Sequence, residues 1–273
     1  MFFKKKVLTP FIALLLALVC CGVSILGTWM VTRDGSDQKV QTESTADAGS
    51  DSKSESATEV EPASETDLYH QAIADAVVAD SDELLPLVEI TPDSDMVTWN
   101  DAGDKVLMLT LHNYPDSYPA GSDITTQWGY VWTFTDKEFA ELFKEESADV
   151  TDWDFRIKQI LGMPEDNPNS YITAMWVSPD DLIRPAYVTD ITKQMTNSFD
   201  EEQPESEEYV SWFNSNAVYS YCGETYPWTR LGYTYDWADN STEYGLSEFL
   251  VENGSTVTVE YTKTIDDFIA ALG

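Results

Sequence analysis

Apolar residues fall along the chain in three regimes. They run almost without interruption from Val7 to Val31, nearly vanish from Gly35 to Glu65, and beyond Thr66 recur with the spacing of strands and helices. In that last regime an opening helix is predicted from Thr66 to about Asp80, with Leu68, Ile73 and Val77 toward the core. Lys105–His112 and Trp128–Phe134 read as strands. Thr135 and Glu138 fit a capping box, and Phe134 and Phe139 a hydrophobic staple, so a helix is expected over Asp136–Glu146. A second helix starts near Asp152, capped by Thr151, and stops at Gly162 and Pro164.

Tyr171–Val177 is a further strand, followed by a one-turn helix that Ser178 caps and Pro185 closes. Glu207 to about Tyr219 reads as a helix and Arg230–Asp236 as a strand. Two β-rich segments around Asn253–Gly254 predict a hairpin over Glu248–Tyr261, and Thr264 with Asp267 caps a last helix. The pattern shows no repeat and no internal linker. It predicts one α+β domain over residues 66–273, with a mainly antiparallel or mixed β-sheet and several packed helices.

The first regime predicts a transmembrane helix over residues 7–31. At about 1.5 Å per residue it is long enough to cross a hydrocarbon core of about 30 Å. Lys4, Lys5 and Lys6, in a basic stub over residues 1–6, orient its N-terminus to the cytoplasm. A cleaved signal peptide competes, but the run is long and lacks an Ala-x-Ala site. A lipidated Cys21 also competes, but bulky Cys20 precedes it. Each route exports the rest, so the expectation is a single-pass cell-membrane protein with an extracellular C-terminal domain. Residues 32–65 are too polar to fold and predict a disordered acidic linker.

The formal net charge of −34 sharpens this picture. Between Thr66 and Gly273 there are 40 Asp and Glu against 9 Lys and Arg, a net −31. Such a field repels phosphate, which argues against nucleic acid as a partner. Cys222 is the one cysteine beyond the first regime, so no intramolecular disulfide forms there.

Two histidines, no His-Glu-x-x-His and no Cys-x-x-Cys argue against a metal centre. Asp236, Asp239 and Glu243 supply oxygen ligands without a calcium loop. No glycine loop calls for a nucleotide cofactor. A Cys222–His112 nucleophile pair, oriented by Asp116 or Glu224, would sit at the helix end that disfavours a thiolate.

Three stretches carry candidate ligand-binding residues. Tyr221–Trp237 is dense in aromatics, and Glu224, Trp228, Arg230, Tyr233, Tyr235 and Asp236 are placed to stack on a sugar or hold a peptide. The loop after the first strand offers His112, Tyr114, Asp116 and Tyr118. Trp176 and Arg184 flank a proline turn, where Arg184 is expected to pair with a carboxylate. The function expected is binding of a peptide, glycan or surface partner. Hydrolysis of a cell-wall or other polymer, and a structural surface role, are the alternatives.

Overall fold

The computed structural model of the chain describes residues 64–273. Its first helix, α1 (Glu65–Asp75), opens on a reciprocal cap. The Ser64 hydroxyl accepts from the Asp67 N–H, and the Asp67 carboxylate accepts from the Ser64 N–H. The helix buries Tyr69, Ala72 and Ile73, whereas Val77, expected on its inner side, is exposed beyond its end. It stops short of Asp80 where the Arg230 guanidinium donates to the carbonyls of Ala76 and Val77, which no longer need helical partners.

Seven antiparallel strands form the main sheet: β1 (Val106–His112), β2 (Asp123–Thr125), β3 (Val131–Thr135), β4 (Tyr171–Val177), β5 (Leu182–Ile183), β8 (Phe249–Val251) and β9 (Thr256–Thr264). Their order is β2-β9-β4-β1-β3-β8-β5, and β6 (Tyr233–Tyr235) pairs separately with β7 (Tyr244–Ser247). The β1–β4 register sets Met108 opposite Met175 and Leu109 opposite Ala174, so alternate residues go to opposite faces. Val106, Met108, Met175 and Val177 pack under the segments carrying Ile90, Val97 and Ile191. Leu109, Leu111, Ile172 and Ala174 pack on the other side against α2 (Asp136–Glu146), α3 (Trp153–Ile160) and α5 (Ile265–Ala270). The remaining helix is α4 (Glu207–Cys222).

The sheet corrects one clear expectation. β8 and β9 flank Asn253–Gly254 but are not partners: β8 pairs with β3 and β5, and β9 with β2 and β4. Three strands separate them in the order, yet residues 252–255 connect them, and Val251 and Val257 meet in one cluster. The sheet is therefore rolled. Thr126 fixes the connection, donating from its hydroxyl to the Glu252 carbonyl and accepting from the N–H groups of Gly254 and Ser255.

Local signals also yield to tertiary contacts. The Phe134–Phe139 staple forms, with ring centroids 5.8 Å apart, but the capping box does not. The Glu138 carboxylate instead accepts from the Ser247 N–H and the Tyr244 hydroxyl. Asp152, one residue after the expected Thr151, caps α3. The Ser178 side chain makes no cap, and Pro179–Asp181 is a single 3-10 turn leading into β5. The expected Arg230–Asp236 strand contracts to β6 because Arg230 (φ 61°) and Gly232 (φ 83°) take left-handed backbone.

The transmembrane expectation is corrected as well. Among the described residues, no helix is long and apolar enough to cross a membrane. The longest, α4, has 16 residues and carries Glu207 and Glu208 in its first turn, against about 20 predominantly apolar residues for a span. The stub, the stretch 7–31 and the linker up to residue 63 lie outside the described residues. The linker's last expected residues, Ser64 and Glu65, already belong to α1 and its cap. Single-pass topology, attachment through residues 7–31, the lipidated alternative and the extracellular placement that followed from them have no support in the structure. The domain's role has to rest on residues 64–273.

Candidate functional site

A split in the sheet makes the site. β1 pairs with β3 only at Met108–Thr135 and Leu109–Phe134. Beyond that point β1 stays with β4, β3 goes with β8, and the two strands part. Thr110–His112 on one side and Val131–Phe134 on the other line a cavity of about 1140 Å³. The rest of its wall comes from the loop after β1, the 124–130 segment, residues 161–163 and 169, the end of α4, the 226–235 stretch and Glu248.

Aromatic rings dominate this wall. Trp132 and Trp228 meet edge to face at 6.4 Å, and both pack on Trp212 behind them. Tyr130 meets Trp212 at 4.9 Å. At the rim Trp128 is 98% exposed and Tyr219 is exposed beside Tyr226.

Two of the three expected stretches converge here. His112, Tyr114 and Tyr118 line the cavity, as do Trp228, Tyr233 and Tyr235. The others lie elsewhere. Asp116 is exposed on the turn after β1, and Glu224 is exposed in the turn after α4. Trp176 donates its indole N–H to Glu260 on β9. Arg184 is fully buried and does not meet a carboxylate as expected. One of its terminal nitrogens donates to the carbonyls of Val88 and Ile191, and the guanidinium lies 4.7 Å over the Phe249 ring. Burial holds its pKa down at about 10.

Arg230 and Asp236 are structural. Besides ending α1, Arg230 donates to the Tyr187 hydroxyl and lies over the rings of Tyr187 and Tyr221. Asp236 is buried and takes two parallel bonds of 2.7 and 2.6 Å from Arg156, which also grips Glu146. The Ala238 N–H and the Asn240 amide also donate to it, so its four acceptor sites are all taken up within the protein.

His112 is present on the wall but chemically committed. The Tyr114 N–H donates to its Nδ1 at 3.0 Å, so the ring proton sits on Nε2 and points to the Thr173 hydroxyl at 2.7 Å. Thr173 then donates to Thr262, and Thr262 to the Tyr118 carbonyl. Burial pushes the imidazole down to about 4, so it is a neutral, fully bonded ring rather than a base. Cys222 is exposed on α4's last turn and is not part of the wall. Both ring nitrogens of His112 are engaged by Tyr114 and Thr173, so the Cys222–His112 pair that the sequence already disfavoured is not assembled.

Glu248 is the residue that sequence reasoning passed over. It lies between β7 and β8, is 8% exposed, lines the cavity, and its Oε2 has no hydrogen-bond partner. Burial raises its carboxyl to about 8. Among the described residues it is the one acidic side chain on the wall, and no lysine or arginine joins it. Trp128, Tyr130 and Trp132 were also missed as site residues. Their signal was present, since with Phe134 they put an aromatic at every second position leading into and along β3.

Fold and cavity together define a class: an α+β domain with a rolled antiparallel sheet, opened at one strand junction into an aromatic-walled cleft. No family model, no curated protein and no solved structure matches the chain.

Proposed function

We propose that residues 64–273 form a binding domain that takes an organic ligand, or one side chain of a peptide, into the cleft between β1 and β3. The observation that carries this reading is the cleft itself: about 1140 Å³ walled by Trp132, Trp228, Tyr130 and Tyr226, with Trp128 exposed at its rim. Small-molecule sites have volumes of about 300–1,000 Å³, mostly apolar with a few placed polar groups. A cleft slightly larger than that range suits a body of many heavy atoms rather than an ion.

Binding fits this wall better than hydrolysis. A glycosidase needs two carboxyl groups about 5–9.5 Å apart across the bond it cuts, and among the described residues the wall offers Glu248 alone. His112 has both nitrogens engaged, so it is not placed to activate a nucleophile.

The test is to incubate the full-length chain with panels of short peptides, glycans and aromatic small molecules, and to measure both retention and product release. Retention without turnover, weakened at least tenfold by Trp132→Ala, is the expected result. Turnover that co-purifies with the chain, or retention indifferent to Trp132→Ala, would overturn it.

A further inference from the structure

We propose that the cleft selects an organic cation, an amine carried on an apolar body, with Glu248 as its counter-ion and the indole and phenol faces as the rest of its cage. This rests on the binding reading above and adds the charge of the ligand to it.

The first support is geometric. Glu248 is more than nine-tenths buried, belongs to the cavity wall, and carries an Oε2 with no hydrogen-bond partner among the described residues. A buried polar atom without a partner is uncommon, and a buried carboxylate without one is costly. Two wall hydroxyls donate elsewhere, Thr133 to the Phe249 carbonyl and Thr234 to the Ile160 carbonyl. Oε2 itself has almost no accessible surface, so a cavity ligand meets this carboxyl through its other oxygen or after the side chain turns.

The second support is the character of what surrounds it. Among the described residues no basic side chain shares the wall, so an anionic ligand finds no counter-charge there, whereas a cation finds a carboxyl and several aromatic side chains. Aromatic faces carry negative charge density at their centres and attract ammonium groups most strongly when water is excluded. Over the wider surface the acidic excess draws cations toward the domain.

The third support is a proton. Burial holds Glu248 largely protonated at neutral pH, and pairing with an ammonium would favour the carboxylate and release that proton. Around it, burial raises the phenols of Tyr118, Tyr130, Tyr226, Tyr233 and Tyr235, and of Tyr209 within electrostatic reach of Glu248, and lowers the His112 imidazole, so none of these exchanges a proton near pH 7.

The experiment uses probes that share one body and differ in charge: phenethylamine, benzyltrimethylammonium, phenethyl alcohol and phenylacetate. Each is titrated calorimetrically into the full-length chain at pH 7 in two buffers of different ionisation heat. Both cations should bind at least tenfold tighter than the alcohol, with phenylacetate weakest and with proton release on cation binding. Glu248→Gln should erase the cation preference and the proton release while leaving the alcohol's affinity within twofold. Trp132→Ala should weaken cations and alcohol together.

Equal affinity for amine and alcohol, a cation preference that survives Glu248→Gln, or no binding of either cation at millimolar concentration would overturn the proposal. If the alcohol binds as well as the amine, the aromatic cleft stands and only its charge selection falls. If neither these probes nor any peptide or glycan is retained, the binding reading falls with it.

Discussion

Glu248 and His112 are buried titratable groups whose pKa values are displaced in opposite senses from those of ordinary acids and bases, and each marks the same cleft. For Glu248 the folded value, about 8, lies above the ordinary 4.5. Between those two values the folded chain holds a proton that the unfolded chain has released. The contribution to stability is therefore fully present below about pH 4.5 and is lost as the pH rises through about 8, at roughly 1.4 kcal/mol per unit. Glu248→Gln removes this dependence while keeping the volume. Urea denaturation should find variant and parent of similar stability at pH 5, and the variant more stable by on the order of 3–5 kcal/mol at pH 9. Parallel curves at both pH values would mean that the carboxyl is not buried in its neutral form. For His112 the direction reverses: its contribution is present above about 6.5 and lost as the pH falls through about 4, so the two are never present in full at one pH and between about 4 and 8 each contributes in part.

At the level of elements, the wall of the cleft depends on how closely β7, β6 and α3 approach, and Gly245 permits that approach. A Cβ at Gly245 would overlap the Ile160 carbonyl at the end of α3 and the hydroxyl and carbonyl of Thr234 on β6. Two of these are backbone oxygens, which cannot swing aside as a side chain does. Gly245→Ala should therefore destabilise the domain by at least about 1–3 kcal/mol, read as a lower urea midpoint, and weaken retention of any cleft ligand because Thr234 lines the cavity. An unchanged midpoint would show that β7 shifts freely. The same level explains what was legible in the sequence. The strands over 106–112 and 171–177 and the helix over 136–146 follow from local periodicity and were readable. The pairing of β8 with β3 rather than β9 was not, because a turn signal at Asn253–Gly254 says nothing about which strand waits across the fold. Glu138 fitted a capping box in sequence, but buried donors on Ser247 and Tyr244 outcompeted the helix end. The aromatic density of 221–237 and the loop after β1 pointed toward the cleft, whereas Glu248 is one carboxylate among 49 acidic residues and acquires its character only through burial.

For the domain as a whole, the charge sets a balance that its few cations do not offset. Arg156 binds Glu146 and Asp236, while Lys144, Lys158 and Lys193 each pair with a carboxylate three or four residues away. The pairs made by Lys144 and Lys193 are well exposed, and such pairs contribute about 0–1 kcal/mol. The remaining acidic excess, within a net −31 over residues 66–273, repels itself in the compact state more than in the expanded chain. Salt should therefore stabilise this protein. The screening length falls from about 30 Å at 0.01 M to about 3 Å at 1 M, so raising sodium chloride from low to near-molar concentration should raise the unfolding midpoint. Each kcal/mol regained corresponds to about 2–4 °C for a chain of this size. A midpoint that is flat or falls with salt would mean that ion pairs outweigh repulsion. The same screening acts on the ligand in the opposite direction: an amine drawn in by the acidic field should associate more slowly at high salt, while its contact with Glu248 inside the cleft, shielded from the bulk, should change its dissociation rate little. Stability rising and association slowing over one salt series would separate the long-range field of the surface from the single carboxyl buried in the cleft.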